Sequence, residues 1–126
     1  MQRMRSEIRH NLILSASTIK GTTVRNAADE KLGEIKDIML DTETGKVAYV
    51  VLSVDTGFLN LASKYFAIPW AALEFDTAQE EVIIFNVDKE RLKNSPGFDK
   101  DNWPTAPQTE FINEVHVYYG YDPYYV

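Results

Sequence analysis

The residues of this chain that could do chemistry are few and scattered. Three carboxylates, Asp37, Asp41 and Glu43, lie close together, the kind of spacing that rings a hard cation with oxygen ligands. A calcium loop of the EF-hand type, however, needs ligands at alternate positions over about twelve residues with a glutamate at the end. Here the polar turn Asp41-Thr42-Glu43-Thr44-Gly45 runs straight into an apolar segment that begins at Val47. A hairpin turn is therefore the expected role. Asp99-Lys100-Asp101-Asn102 is a second acidic cluster, again without the glycine and closing glutamate of a calcium loop, and reads as a turn. His116 is the only histidine outside the first ten residues. A single imidazole without companion ligands is expected to lie half-exposed on a helix rather than act as a base or a metal ligand. The chain has no cysteine, which rules out disulfides, zinc–thiolate sites and thiol nucleophiles. No G-x-S-x-G elbow, phosphate loop or dinucleotide fingerprint occurs. The expectation is no catalytic residue, no metal and no cofactor. The alternative of a metal-dependent hydrolase calls for several carboxylates converging in one pocket, which this spacing does not supply.

The aromatic residues are more suggestive. Tyr118, Tyr119, Tyr121, Tyr124 and Tyr125 crowd the C-terminal end. Tyrosine is enriched at interfaces because it couples a large apolar area to a polar tip. Such a tail either folds back over its own domain or packs on a second subunit, and the sequence leaves both open. Trp103, in Asn102-Trp103-Pro104, is placed to anchor the C-terminal extension. Phe58, Leu59 and Leu61 are apolar for a loop, and either cover an end of the domain or meet a partner. These residues are the candidate interface. Trp70, following Pro69 at a strand exit, reads as a plug at the domain's end in preference to a binding platform.

The elements that must position these side chains follow from turn formers separated by β-branched and aromatic runs. Residues 1–13 form a polar leader, and either Met1 or Met4 fits as the start. A short strand at Thr22 to Arg25 is followed by a turn and a longer strand from Gly33 to Leu40. Its apolar phase slips between Ile35 and the pair Ile38 and Leu40, which predicts a β-bulge near Lys36 and Asp37. Lys46 to Asp55 is almost wholly apolar in its centre, the pattern of a strand buried on both faces. Lys64 to Ile68 is a fourth strand ended by Pro69, and Trp70 to Leu73 a helical turn. Phe75 with Glu81 to Val87 makes a fifth strand. Asp88 is a good N-cap for a short helix over Lys89 to Lys93, with Glu90 well placed in its first turn. Residues 98–107 read as a linker. Thr105 and Gln108 fit a capping box, and Phe111, Ile112, Val115 and Tyr119 make a helical stripe ending at Gly120. The competing reading there is a strand, since Val115 and Val117 alternate.

A chain of 126 residues suits one domain with a short extension. Its net charge is −6; the first ten residues carry Arg3, Arg5 and Arg9 against Glu7, so the remainder holds −8. An acidic body argues against nucleic acid as a partner, because phosphate binding needs clustered Lys and Arg. No secretory signal is visible, and the apolar run Ala48 to Leu52 is far too short to span a bilayer. The expected location is cytoplasmic, without a transmembrane segment, and peripheral membrane association is left open.

Several of these stretches together resemble a known family. Leu32-Gly33-Glu34-Ile35, then Asp41 with Thr44-Gly45-Lys46-Val47-Ala48-Tyr49, then Val51-Leu52-Ser53, then Phe66-Ala67-Ile68-Pro69-Trp70 with Leu73, resemble in order and spacing the PRC-barrel family, over residues 14–95. Leu92-Lys93, Pro96-Gly97-Phe98-Asp99, Asn102-Trp103-Pro104 and Tyr118-Tyr119-Gly120 resemble the C-terminal extension of small, stand-alone bacterial members. The resemblance implies an all-β fold, a small five- to six-stranded barrel at 14–95, with residues 96–126 adding a linker, a short helix and the Tyr-rich tail. Similar barrels occur in the photosynthetic reaction-centre H subunit and in the ribosome maturation factor RimM, where the barrel docks on membrane-protein subunits and on a ribosomal protein. The sequence carries neither the transmembrane helix of the first nor the N-terminal domain of the second, so neither specific role is expected. What the resemblance implies is a non-enzymatic adaptor or scaffold with a protein partner that the residues do not name. A homodimer is expected because cyclic dimers are the commonest soluble oligomers. The alternative is a self-assembling structural or stress-related protein that binds only copies of itself.

Overall fold

Strands form in this chain where β-branched and aromatic residues run between turn formers. The structure, a computed structural model, describes residues 13–54, 64–75, 82–105 and 108–125. A one-turn helix, α1 (Ala16–Ile19), is capped by the Ser15 hydroxyl, which accepts from the Thr18 N–H at 3.1 Å. Then come β1 (Thr23–Arg25), β2 (Lys31–Asp41), β3 (Lys46–Val54) and β4 (Lys64–Ile68). A single 3-10 turn at Trp70–Ala72 leads into β5 (Leu73–Phe75), followed by β6 (Val82–Phe85), α2 (Lys89–Lys93), β7 (Gly97–Asp99) and α3 (Thr109–Tyr118).

The seven strands make one mixed sheet in the order β5-β6-β1-β2-β3-β4-β7, parallel between β1 and β6 and antiparallel elsewhere. This corrects the expected five- to six-stranded barrel, since among the described residues the sheet is not closed. The sheet ends at β5 on one side and at β7 on the other, where β7 pairs with β4 and Tyr65 stands opposite Phe98. The extra strands come from β7, inside the stretch read as a linker, and from the split of the fifth strand into the hairpin of β5 and β6. Each of β5 and β7 is three residues long, too short for alternation to register in sequence.

Two bulges set which side chains meet. Lys36 stands unpaired between Ile35, opposite Leu52, and Asp37, opposite Val51. This is the bulge that the apolar phase slip predicts. A second leaves Ala48 unpaired, between Tyr49 opposite Met39 and Val47 opposite Leu40. Each extra residue turns the following side chains to the other face. Val50, Leu52 and Val54 therefore enter an inner core with Val24, Leu32, Ile35, Phe66 and Ile83, and Val47 reaches the same core from beyond the second bulge. On the opposite face Tyr49, Val51, Tyr65 and Ala67 form an outer core with Phe98, Ile112 and Val115. Strand β3 is thus buried on both faces, as its apolar run predicts.

The outer core exists because the C-terminal extension covers it. Helix α3 buries Ile112 and Val115, while Val117 is 53% exposed. The helical stripe is realised and the strand reading of Val115 and Val117 is not. A fully buried Val or Ile contributes about 1.5–3 kcal/mol, so these two residues hold α3 down firmly. The capping box is not formed. Gln108 occupies the N-cap position without a side-chain cap bond, and its Oε1 accepts instead from the Tyr49 hydroxyl at 2.7 Å. A tertiary partner has displaced the local one. At the other end Gly120 adopts φ +87, the Gly120 N–H donates to the Val117 carbonyl and the Tyr121 N–H to the His116 carbonyl, both at 3.0 Å. This paired closure turns the chain back along the helix and aims the tail at the sheet.

Candidate functional site

The tyrosines lie where that turn delivers them. The Tyr124 hydroxyl donates to Asp41 Oδ2 at 2.9 Å and lies 3.4 Å from the Thr44 hydroxyl, so the tail is tied to the β2–β3 turn. Its ring tilts over His116 at 5.4 Å between centroids. Asn113 grips the tail backbone twice, accepting from the Tyr125 N–H at 2.8 Å and donating to the Tyr125 carbonyl at 3.3 Å. His116 Nε2 lies 2.9 Å from the Ala48 carbonyl. A carbonyl only accepts, so Nε2 carries the proton, and the imidazole ties α3 to the bulge residue.

A second clasp joins α3 to α2. The Tyr118 hydroxyl donates to the Arg91 carbonyl at 2.6 Å, and the Arg91 guanidinium donates back to the Tyr118 carbonyl. That guanidinium lies 4.8 Å from the Tyr118 ring and 5.6 Å from the Tyr119 ring, within cation–π range. Tyr119 packs against the inner core, edge-on to Phe85 at 5.3 Å, and its buried hydroxyl makes no well-formed hydrogen bond, with only the Ser95 hydroxyl, itself donating to the Leu92 carbonyl, close enough to act on it. Burial pushes the Tyr119 hydroxyl up to about 12 and does the same to Tyr49. Trp103 stacks edge-on to Tyr65 at 5.4 Å and tilted on Phe98 at 5.0 Å, which fastens the extension to β4 and β7. Tyr121 and Tyr125 keep the largest exposure among the tail aromatics, 37% each. Phe58, Leu59 and Leu61 lie outside the described residues.

The acidic residues serve the turns. Asp41 accepts from the Glu43 N–H at 3.0 Å, and this bond, with the Tyr124 hydroxyl second, holds its carboxyl below the usual carboxylate range. Asp37 bonds the Ile38 N–H and pairs with Lys20 at 3.8 Å on the surface. The Asp99 carbonyl accepts from the Asn102 N–H at 2.9 Å. Among the described residues no three His, Asp or Glu side chains gather where they could hold a metal ion.

Two surface grooves are lined partly by the outer edges of the cores and partly by exposed apolar side chains. One, of about 320 Å³, lies between Ile13, Leu14, Ile19, Trp70 and Phe75. Trp70 is 37% exposed and tilts against Phe75 at 5.2 Å, so it is a wall of this groove rather than a buried plug. The other, of about 440 Å³, runs between the β2–β3 turn and α3, and Leu40 on its wall is 62% exposed. Leu40 pairs with Val47 at the far end of β2 and belongs to neither core. Arg91 and Asn113, which hold the extension together, had no signal in sequence, because each acts on backbone atoms of residues remote from the strands.

A family model described as the PRC-barrel domain matches residues 13–92. Among solved structures the chain is similar to one from Pseudomonas aeruginosa described as the 16S ribosomal RNA processing protein RimM, with 16% identity and a TM-score of 0.46. The likeness covers 65% of this chain and 49% of that one, so it spans about half the length of the Pseudomonas protein. No curated protein matches.

Proposed function

The chain belongs to the PRC-barrel domain family, and from that premise we propose that it is a protein-docking module, an adaptor or scaffold that offers a preformed surface and performs no covalent step. The observation that carries this reading is the set of large apolar side chains left exposed, Ile13, Leu40, Trp70, Val117, Tyr121 and Tyr125. Ile13 and Trp70 meet in one groove and Leu40 and Tyr125 in the other, and exposed apolar area brought together in this way marks interaction surfaces. In this proposal Tyr121, Tyr125 and the loop residues Phe58, Leu59 and Leu61 supply contact area. Trp103, Tyr118, Tyr119 and Tyr124 brace the extension so that the surface is rigid. The net charge of −6 supports a protein rather than a nucleic-acid partner. Among the described residues no helix is long and apolar enough to cross a membrane. Self-association as a homodimer and a cytoplasmic location belong to the same proposal.

The test is affinity capture from the native cell with an N-terminally tagged chain, retaining ribosomal and membrane fractions, beside Tyr121→Ala and Tyr125→Ala baits. Cutting the chain at Gly97 is a poor control, since it strips β7 and α3 from the sheet. A stoichiometric partner weakened by either substitution supports docking. Recovery of nothing but the protein itself refutes it in favour of self-assembly, and sedimentation equilibrium then reads the size of that assembly.

A further inference from the structure

The groove between the β2–β3 turn and α3 has a chemistry of its own. Its apolar wall is Met39, Leu40 and Ile112, with the Tyr125 ring at one side. Its rim is Asp41 and Glu43, and among the described residues no lysine or arginine lines it. Leu40 is the most exposed residue of this wall, at 62%. The Glu43 N–H, first, and the Tyr124 hydroxyl hold the Asp41 carboxyl below the usual carboxylate range. The Tyr125 hydroxyl is pushed up by burial first and by the Asp41 charge next, a second sign that the groove carries a negative field. At about 440 Å³ the groove falls within the range of about 300–1,000 Å³ that specific sites occupy. Both walls are braced, since Tyr124 ties the turn to the tail and Asn113 ties the tail to α3.

We propose that this groove docks a basic segment of a partner protein, one that sets a large apolar side chain on Leu40 and Tyr125 and places a flanking arginine or lysine against Asp41 and Glu43. The inference rests on the docking-module reading above and adds the place and the chemistry of the partner. Charge complementarity selects the occupant. An anionic rim repels the phosphates of nucleic acid and of anionic lipid headgroups, whereas it steers a basic protein segment and fixes its register. The apolar wall supplies the buried anchor that interface hot spots require.

The test uses the full chain and a fluorescent ten-residue peptide alternating leucine with arginine, with a leucine–glutamate peptide of the same length as control, read by fluorescence anisotropy. Leu40→Ser and Glu43→Lys alter exposed side chains outside both cores, and circular dichroism checks that each variant is folded. The arginine peptide is expected to bind with a salt-sensitive affinity that each variant weakens about tenfold, and the glutamate peptide is expected not to bind. Equal binding to wild type and both variants, binding of the glutamate peptide, or no binding at all overturns the proposal. So does a wild-type dimer that Leu40→Ser dissociates, because the occupant is then a second copy. A cellular partner captured equally by wild type, Leu40→Ser and Glu43→Lys removes this groove while leaving the docking module standing.

Discussion

Replacing Tyr119 separates two roles of one side chain by the sign of the effect. The ring packs on the inner core, edge-on to Phe85 at 5.3 Å, whereas its buried hydroxyl makes no well-formed hydrogen bond and has only the Ser95 hydroxyl acting weakly against its burial. A buried, unpaired hydroxyl costs about 1–3 kcal/mol of desolvation. Tyr119→Phe removes that cost, less whatever the Ser95 contact offsets, and keeps the ring, so the variant is expected to gain up to about 1 kcal/mol. Tyr119→Ala removes the ring. Full burial of an aromatic is worth about 3–5 kcal/mol on truncation, and because Tyr119 keeps some exposure the expected loss is about 2–3 kcal/mol. Equilibrium urea unfolding followed by far-ultraviolet circular dichroism measures both. With a slope of about 1.5 kcal/mol per molar urea, the midpoint moves up by at most about 0.7 M for Phe and down by about 1.3–2 M for Ala. A Phe variant less stable than wild type by 1 kcal/mol or so would mean that the hydroxyl has a partner, and an Ala variant within about 0.5 kcal/mol would mean that the ring is not part of the core. Either result refutes the packing argument. Tyr119→Ala is for the same reason a poor probe of partner binding, since it weakens the fold that presents the surface.

Gly33→Ala should be among the most damaging small substitutions, because a Cβ there would lie 2.1 Å from the Ser53 backbone oxygen across the β2–β3 ladder. A loss of about 2–3 kcal/mol is expected, read as a fall in Tm, and an unchanged Tm would show that the ladder is looser than drawn. Asn26 is the one buried polar side chain among the described residues, accepting from the Ala28 and Glu30 N–H groups and donating to the Val87 carbonyl; Asn26→Ala should cost about 2–3 kcal/mol, and a near-neutral urea midpoint would count against that network. Tyr49 and Tyr119 titrate near 12 in the folded chain, raised by burial from 10. The folded state holds these protons more tightly, so their contribution to stability is whole below pH 10 and is lost as pH rises towards 12. An ultraviolet titration that shows every tyrosine ionising together near 10 would contradict it.

The sequence determined the local structure and the family. The hairpin about Asp41 to Gly45, the two-sided burial of β3, the bulge at Lys36 and the short helix capped by Asp88 all follow from periods and turn residues within a few positions of one another. The order of motifs from Leu32 to Leu73 pointed to the PRC-barrel family. What the sequence did not decide depends on pairing between distant segments. The three-residue strand β7 is defined by its pairing with the edge of β4, far away in sequence, and forms one end of the open sheet. The capping box at Thr105 gave way because Tyr49, remote in sequence, offers Gln108 a better-placed hydroxyl. The five C-terminal tyrosines read alike in one dimension. Only the turn at Gly120 divides them, placing Tyr119 on the inner core, Tyr118 and Tyr124 in clasps, and Tyr121 and Tyr125 at the surface. Leu40 alternates onto the face of Ile38 yet is 62% exposed, because neither core extends as far as this end of β2. The physical reason is common to all of these: hydrophobic period and turn chemistry act over a few residues, whereas edges, bulge partners and buried hydroxyls are settled by whichever distant group satisfies them first.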